Sequence, residues 1–226
     1  MLFWQDPQFG DRMITLMAAL VLVLQITMVA QRWLLTTIQA FAIQSFLLAC
    51  IANTIAYFNG APHIYIAAAL TLLFKVILLP VILRRLVVRI DIQREIEPFV
   101  NVPVSVIISG LLTLLAYVVA EAFQPEPSAK STMGRNTLPV AIALFLIGFF
   151  MMINRRKALT QVLALLSLEN GLFLAAISLT YGMPLIVELG IFFDLLVAGM
   201  ILAILVFRIR ETFDSMDVSR LSRLRG

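Results

Sequence analysis

The sequence predicts an all-α polytopic membrane protein of seven transmembrane helices, and three observations carry that prediction. Of its 226 residues, 62% are hydrophobic and only 13% are charged, with a mean hydropathy of +1.01; a soluble domain carries about 25% charged residues. Apolar runs recur along the whole chain, most of them long enough to cross about 30 Å of hydrocarbon at about 1.5 Å per helical residue. Basic residues cluster in every second connection, as they do when successive helices alternate sides of a membrane. Helices and short connections use up the chain, which leaves no room for a separate soluble catalytic domain.

Residues 1–11 are polar, with Pro7 and Gly10 read as breakers. They lack the basic n-region and small-residue cleavage site of a signal peptide, so the segment is expected to be retained. Helix one is predicted over 12–30 and ends at Gln31 and Arg32. Helix two, 33–58, carries Gln39, Gln44, Ser45, Asn53 and Thr54 among its apolar residues and stops at Asn59-Gly60-Ala61-Pro62. Helix three, 63–83, holds Lys75, with Pro80 five residues on; Arg84, Arg85 and Arg89 follow, then the charged segment DIQREIEP at 91–98. Pro80 removes a backbone donor and frees a carbonyl about one turn beyond Lys75.

Helix four is predicted over 100–123, and the loop QPEPSAKSTMGRNT at 124–137 is the longest break in the chain. Helix five, 138–153, is short and ends at Asn154-Arg155-Arg156-Lys157. Helices six and seven, 158–181 and 185–207, precede a polar basic tail at 208–226. The chain divides on this reading into an N-terminal three-helix bundle (1–99), a fourth helix with its external loop (100–137) and a C-terminal three-helix unit with its tail (138–226). The first three helices and the last three read as weak parallel copies: RWLLT (32–36) recurs as RKALT (156–160), and LLACIANT (47–54) echoes FLAAISLT (173–180).

Charge orients the helices. Thirteen of the seventeen basic residues lie in the connections after helices one, three and five and in the tail, while Arg12, Lys130 and Arg135 lie on the opposite side and Lys75 lies in the membrane. The positive-inside rule therefore places the N-terminus outside and the C-terminus in the cytoplasm. The same distribution accounts for the net charge of +4 and the pI near 9.6, and no nucleic-acid partner is expected. The single cysteine, Cys50, lies in an apolar run and reads as a small core side chain. One histidine and one cysteine make no metal-ligand cluster, and no phosphate-cradling glycine loop or nucleophile triad stands in the sequence, so neither a cofactor nor a catalytic residue is expected.

The candidate site is a layer of ionisable residues. Glu169 and Asp194 each sit near the middle of an apolar run, where translocon scales put a charge at about +2.5 to +3.5 kcal/mol. Counted from the cytoplasmic ends of their helices, Glu169 lies about 17 Å deep, Asp194 about 20 Å and Lys75 about 12 Å, so all three can share one layer. An acid and an ammonium within reach of each other offset the desolvation that each would suffer alone, which leaves their protonation states close in energy and exchangeable. That is what a proton relay needs. A fixed ion pair locking the helices together needs the same residues, and both readings stay open. Glu188, in the first turn of helix seven, and His63, at the outer end of helix three, are candidates for proton entry or exit. Each also has a plain reading, Glu188 as an anion at a helix N-terminus and His63 as an interfacial residue. Gln44, Gln161 and Asn170 are read as polar support that glues helices by hydrogen bonds.

A glutamate within SLENGLFLAAISL (Glu169), an acid in the middle of the next helix (Asp194) and a tail ending SRLRG make the stretch from helix five onwards similar to the K-type subunit of respiratory complex I and the C-type subunit of multisubunit cation/proton antiporters. LFKVILLPVIL (73–83), RRKALTQVLALLSLENG (155–171), PLIVELGIFFDLLVAGMIL (184–202) and DVSRLSRLRG (217–226) together resemble the hydrogenase-4 component E family, membrane subunits of group 4 nickel–iron hydrogenase and formate hydrogenlyase assemblies. One departure from the K-type pattern is Asp194 in place of a glutamate; its shorter reach requires a closer partner or a bridging water. The resemblance implies a non-catalytic subunit, with no redox centre of its own, in a bacterial or archaeal cytoplasmic membrane. It would be held between antiporter-like membrane subunits and hydrogenase-like or complex I-like redox subunits. It also implies that Glu169 and Asp194 are proton-relay sites; Lys75 rests on the hydrogenase-4 likeness and on its depth. A scaffold with a purely structural polar layer and a stand-alone ion transporter are the alternatives.

The topology is directly testable. A reporter fused at the C-terminus is expected in the cytoplasm and one inserted within 124–136 outside; a cytoplasmic signal from the inserted reporter would break the seven-helix reading.

Overall fold

The computed structural model describes residues 7–90, 98–122 and 135–179. Among these residues there are helices and no β-strands. They form α1 (Pro7–Ala30), α2 (Leu34–Asn59), α3 (62–90), α4 (Val102–Ala122), α5 (Leu138–Asn154) and α6 (Ala158–Leu179), with a 3₁₀ turn Arg135–Thr137 leading into α5. Five of these helices are long and apolar enough to cross a membrane, and α5 is a shorter apolar helix of 17 residues. The protein is thus a multi-pass membrane protein. The seventh predicted helix, 185–207, lies outside the described residues.

Two boundaries differ from expectation. α1 begins at Pro7, five residues earlier than predicted, because proline is tolerated in a helix's first turn, where its missing N–H leaves no bond unmade. The third helix runs on through Arg84 and Arg85 to Ile90 instead of ending before them. Leu83, Leu86 and Val87 are buried and continue the apolar face while the arginines point outward, so the helix gains from going on.

α3 is not uniform. α-Helical Pro62–Thr71 passes into a π-helical turn, Leu72–Leu78, and returns to α-helix at Leu79–Ile90. Pro80 supplies one cause, since it has no N–H and its ring would press on the carbonyl a turn back. The other cause is the spacing of buried residues. Ile64, Ala67, Ala68, Thr71, Lys75, Leu79, Leu83, Leu86 and Val87 are buried, and the middle of that series advances by fours. Each step of four overshoots an α-helical turn of about 3.6 residues by roughly 40°. A wider turn absorbs the drift and keeps one face on the core.

α5 and α6 form the tightest hairpin. A Cβ on Gly148 would stand 2.8 Å from the backbone of Leu168, and one on Gly171 would stand 2.7 Å from the Phe145 nitrogen and 2.9 Å from the Ala141 carbonyl. The two backbones therefore touch through glycines, as small residues allow in membrane bundles. α1 and α2 make a second hairpin, α3 and α6 lie against α2, and α4 leans on α1 and α5. α4 keeps an outward face of Val104, Ile107, Leu111, Leu114 and Val118, all exposed and apolar, as a surface facing lipid requires. The α2–α3 turn is set by Gly60, whose φ of 64° lets it close α2 with its N–H on the Ala56 carbonyl.

At the end of the bundle where α1 stops, Arg155 does an unexpected job. Its side chain is 2% exposed, and Nη2 donates to the carbonyls of Met28, Val29 and Gln31 at 3.0, 2.9 and 2.9 Å. These carbonyls lie at the C-terminus of α1, where backbone acceptors have no helical partner and the helix dipole favours a cation. Asn154 ties in the start of α4, accepting from Val100 N at 2.7 Å and donating to Ser105 Oγ at 3.0 Å. Arg156 lies over the Phe99 ring, 4.4 Å from its centroid. The basic α5–α6 turn, read from sequence only as a topological signal, is therefore also the corner that joins α1, α4 and α6.

Gly148→Ala and Gly171→Ala are each expected to destabilise the protein by about 1–3 kcal/mol through overpacking. Gly110→Ala, with nothing within 4 Å of the new methyl, is the control and should lose nothing. Thermal unfolding of the purified variants in one detergent checks the order.

Candidate functional site

The core is built as two apolar clusters with a polar layer between them. One cluster includes Met28, Phe41, Leu79 and Leu166, and the other Val21, Leu48, Ala68 and Leu174. On each of four helices the chain passes from one cluster to the other through buried polar residues. These are Gln25 on α1, Gln44 and Ser45 on α2, Lys75 on α3, and Ser167, Glu169 and Asn170 on α6.

Lys75 and Glu169 are the charges of that layer. Lys75 Nζ stands 3.1 Å from Glu169 Oε1, with the two side chains 3% and 7% exposed. The ammonium approaches that oxygen as an ionic neighbour, off the axis of a hydrogen bond. It also donates to Asn170 Oδ1 at 3.3 Å. The π turn of α3 carries Lys75, and α6 carries both acceptors on adjacent residues.

A row of amides backs the lysine. Asn170 Nδ2 donates to Gln44 Oε1 and to Ser45 Oγ, both at 3.1 Å. Gln44 Nε2 donates to Gln25 Oε1 at 2.8 Å and to the Val21 carbonyl at 3.4 Å. Ser167 Oγ closes the row by donating to Gln25 Oε1. Each amide thus turns its oxygen towards the donor before it, so the dipoles run in one sense and present Asn170 Oδ1 to the ammonium. Bonds in such a chain polarise one another in a low-dielectric interior.

Of the residues singled out from sequence, the structure brings together Lys75, Glu169, Asn170 and Gln44. Gln161 is elsewhere: it sits in the first turn of α6 and its Nε2 donates to the Arg155 carbonyl at 2.9 Å, bracing the α5–α6 turn. It supports the fold there and not the polar layer. His63 falls in the first turn of α3, with its side chain outside the described part. Asp194 and Glu188 lie outside the described residues. Cys50 is half-buried on α2.

Gln25 and Ser167 were not predicted. A signal for Gln25 existed, since it is a lone amide in the apolar run LVLVLQITMV, but a hydroxyl such as Ser167 can bond its own helix and gives none.

What the fold and the layer define is a polytopic helical membrane protein organised around a buried lysine–glutamate ion pair, with a hydrogen-bonded row of amides behind the lysine. Over 155 residues the chain is 37% identical to an uncharacterized protein of Mycobacterium tuberculosis, covering 68% of this chain and 69% of that one. Over 187 residues it is 28% identical to hydrogenase-4 component E of Escherichia coli K12 and, equally, to that of Shigella flexneri, covering 82% of this chain and 85% of theirs. The chain belongs to the hydrogenase-4 component E family. No protein-family model and no solved structure matches it.

Removing one member of a buried ion pair strands the other at a cost of about 3–5 kcal/mol, whereas replacing both by neutral groups costs much less. Lys75→Met alone is expected to lower the yield and unfolding temperature of the protein, and Lys75→Met/Glu169→Gln to recover part of both. Equal, additive losses in a double-mutant cycle would show that the pair carries no coupling.

Proposed function

We propose that this protein is a membrane subunit of a hydrogenase-like or complex I-like assembly, in which Lys75 and Glu169 contribute a proton relay coupled to electron transfer in partner subunits. The observation that carries this reading is the ion pair itself, an ammonium and a carboxylate 3.1 Å apart between two apolar clusters. Ionisable groups in that position are expensive, and proton relay is one of the uses that retain them. The name hydrogenase-4 component E, borne by the relatives in Escherichia coli and Shigella flexneri, supports the assignment to a redox assembly.

The chemistry asked of the pair is modest. Glu169 holds a proton on one of its carboxylate oxygens and gives it up. When the carboxyl is neutral, Lys75 keeps an acceptor in Asn170 Oδ1, so the cation is never left bare. When the carboxylate returns, the ammonium is already beside it. Electron transfer would belong to nickel–iron hydrogenase-like or complex I-like partners, and the adjoining membrane partners would be antiporter-like.

The fuller reading adds positions known from sequence. Asp194 would extend the relay, and Glu188 and His63 would serve entry or exit. The run 185–207 would be the seventh crossing, with the N-terminus outside, the C-terminus in the cytoplasm, and helices one to three and five to seven as parallel copies. Its site would be a bacterial or archaeal cytoplasmic membrane.

A second reading makes the layer structural only. It is favoured by one observation: the amide row joins α1, α2 and α6 by direct bonds, as packing glue would.

Glu169→Gln separates the two, because it keeps shape and hydrogen bonding and removes the titrating proton. In vesicles containing the assembled complex, this variant is expected to assemble, to pass electrons to a soluble acceptor and to lose most proton uptake per electron. Glu169→Asp should retain part of it, and Lys75→Met should impair it by taking away the cation that stabilises the carboxylate. A wild-type ratio in the Glu169→Gln complex would reject the relay.

A further inference from the structure

Lys75 owes its place to the seven-residue π turn Leu72–Leu78, an element that is rare, usually brief and frequent at functional sites. Within this turn the backbone bonds skip one residue further than in an α-helix, as the N–H of Leu79 shows by reaching the carbonyl of Phe74. A turn of this kind accommodates one residue more than the α-helix it replaces. The widening has two visible effects. By absorbing that residue it keeps Ile64, Ala67, Ala68 and Thr71 on the same side as Leu79, Leu83, Leu86 and Val87, and it sets Lys75 between those two groups. Leu72, Leu73, Ile77 and Leu78 are exposed and belong to neither apolar cluster, so the clusters do not demand the widening on their account.

We propose that Pro80 and the π turn before it position Lys75 against Glu169, so that the turn sets the direction of the lysine while the rest of α3 packs independently of it. Pro80 acts because an α-helical turn ending there would place its ring against a carbonyl a turn back and leave that carbonyl without a donor. Widening the turn removes the clash, and the bonds shift by one residue. Lys75 lies inside the shifted stretch. Without the extra residue, the apolar groups on either side would keep their alignment, but Lys75 would follow an α-helical course from one of them and turn through a fraction of a helical turn. Asn170 Oδ1 and Glu169 Oε1 lie on consecutive residues of α6, 3.3 and 3.1 Å from Nζ, and such a rotation carries the ammonium off both. Pro80 touches no proton and is a positioning residue. Its functional consequence rests on the relay reading of Glu169; its geometric consequence does not.

The test removes one residue from the turn. Ile77 is 57% exposed on the outer face, so Ile77→Ala should change little beyond that face, whereas deleting Ile77 converts the turn to α-helix at unchanged packing on both sides. The deletion is made with Pro80 retained and, separately, with Pro80→Leu, which removes the proline clash from the shortened helix. Two readouts are taken on the whole assembled complex. In vesicles, Ile77→Ala should keep the wild-type proton uptake per electron, and the deletion variants should lose most of it while still passing electrons to a soluble acceptor. Independently of function, a double-mutant cycle of Lys75→Met and Glu169→Gln on unfolding temperature should be non-additive in the Ile77→Ala background and additive in the deletion background. A cycle that stays equally non-additive after deletion overturns the proposal whatever the proton ratio does. Failure of both deletion variants to assemble, with Ile77→Ala assembling normally, also overturns it, because the two apolar groups were then not independent of the turn. Loss of the coupling energy with an unchanged proton ratio upholds the positioning and sinks the relay reading instead.

Discussion

A lysine ammonium and a glutamate carboxylate held 3.1 Å apart inside an apolar bundle set conditions that the surrounding helices must all meet. Neither charge is tolerable there alone, so both must arrive together, from helices far apart in sequence. Their remaining hydrogen-bonding capacity must be met by side chains, because the apolar clusters on either side offer none. Asn170 accepts from the ammonium, and two further amides and two hydroxyls, brought by α1, α2 and α6, continue the row behind it. The close α5–α6 contact through Gly148 and Gly171 fixes the helix on which Glu169 and Asn170 stand. A shift of α6 along its axis would therefore cost both packing and polar contacts at once.

The same chain settles a second buried cation differently. Arg155 is as buried as Lys75, yet its Nη2 donates to backbone carbonyls at the end of α1, and its neighbours Asn154 and Arg156 hold the start of α4 and the Phe99 ring. A guanidinium cannot deprotonate in a protein and offers a fixed fork of donors, which suits a permanent cap on a helix end. An ammonium can lose its proton and can turn among partners. One cation thus closes a helix end, and the other stands beside a carboxylate in the middle of the bundle.

Much of this is legible in the sequence. Composition and run length predicted an all-helical membrane protein, and the ends of α2, α4, α5 and α6 fall within two residues of their predicted positions where described. Lys75, Glu169, Gln44 and Asn170 were each conspicuous because a polar residue within an apolar run is costly and therefore informative. Other parts were hidden for physical reasons. Pro80 announced a disturbance, but whether a proline kinks, breaks or widens a helix depends on which face must stay buried, and that is a property of the packed bundle. Arg155 looked like its neighbours Arg156 and Lys157, since a charge count does not tell a basic residue facing headgroups from one folded back onto a helix end. Gln161 reads from sequence only as polar glue between helices; that it braces the α5–α6 turn, eight residues or roughly 12 Å of helix from Glu169, is set by the fold of that turn.

The direction of the amide row limits what it can do. Asparagine and glutamine side chains neither gain nor lose a proton under ordinary conditions, and here Asn170 and Gln44 already donate to the next oxygen in the series. To pass a proton along the row, every amide would have to invert, breaking its bond to the neighbour in a medium that supplies no substitute. Ser167, whose hydroxyl can both donate and accept, stands at the far end, beyond Gln25. The row is therefore better suited to fixing the lysine's acceptor than to carrying charge away from it. Among the described residues of this layer only the Glu169 carboxylate and the Lys75 ammonium are ionisable, which is why substitutions there separate a relay from a scaffold and substitutions among the amides do not.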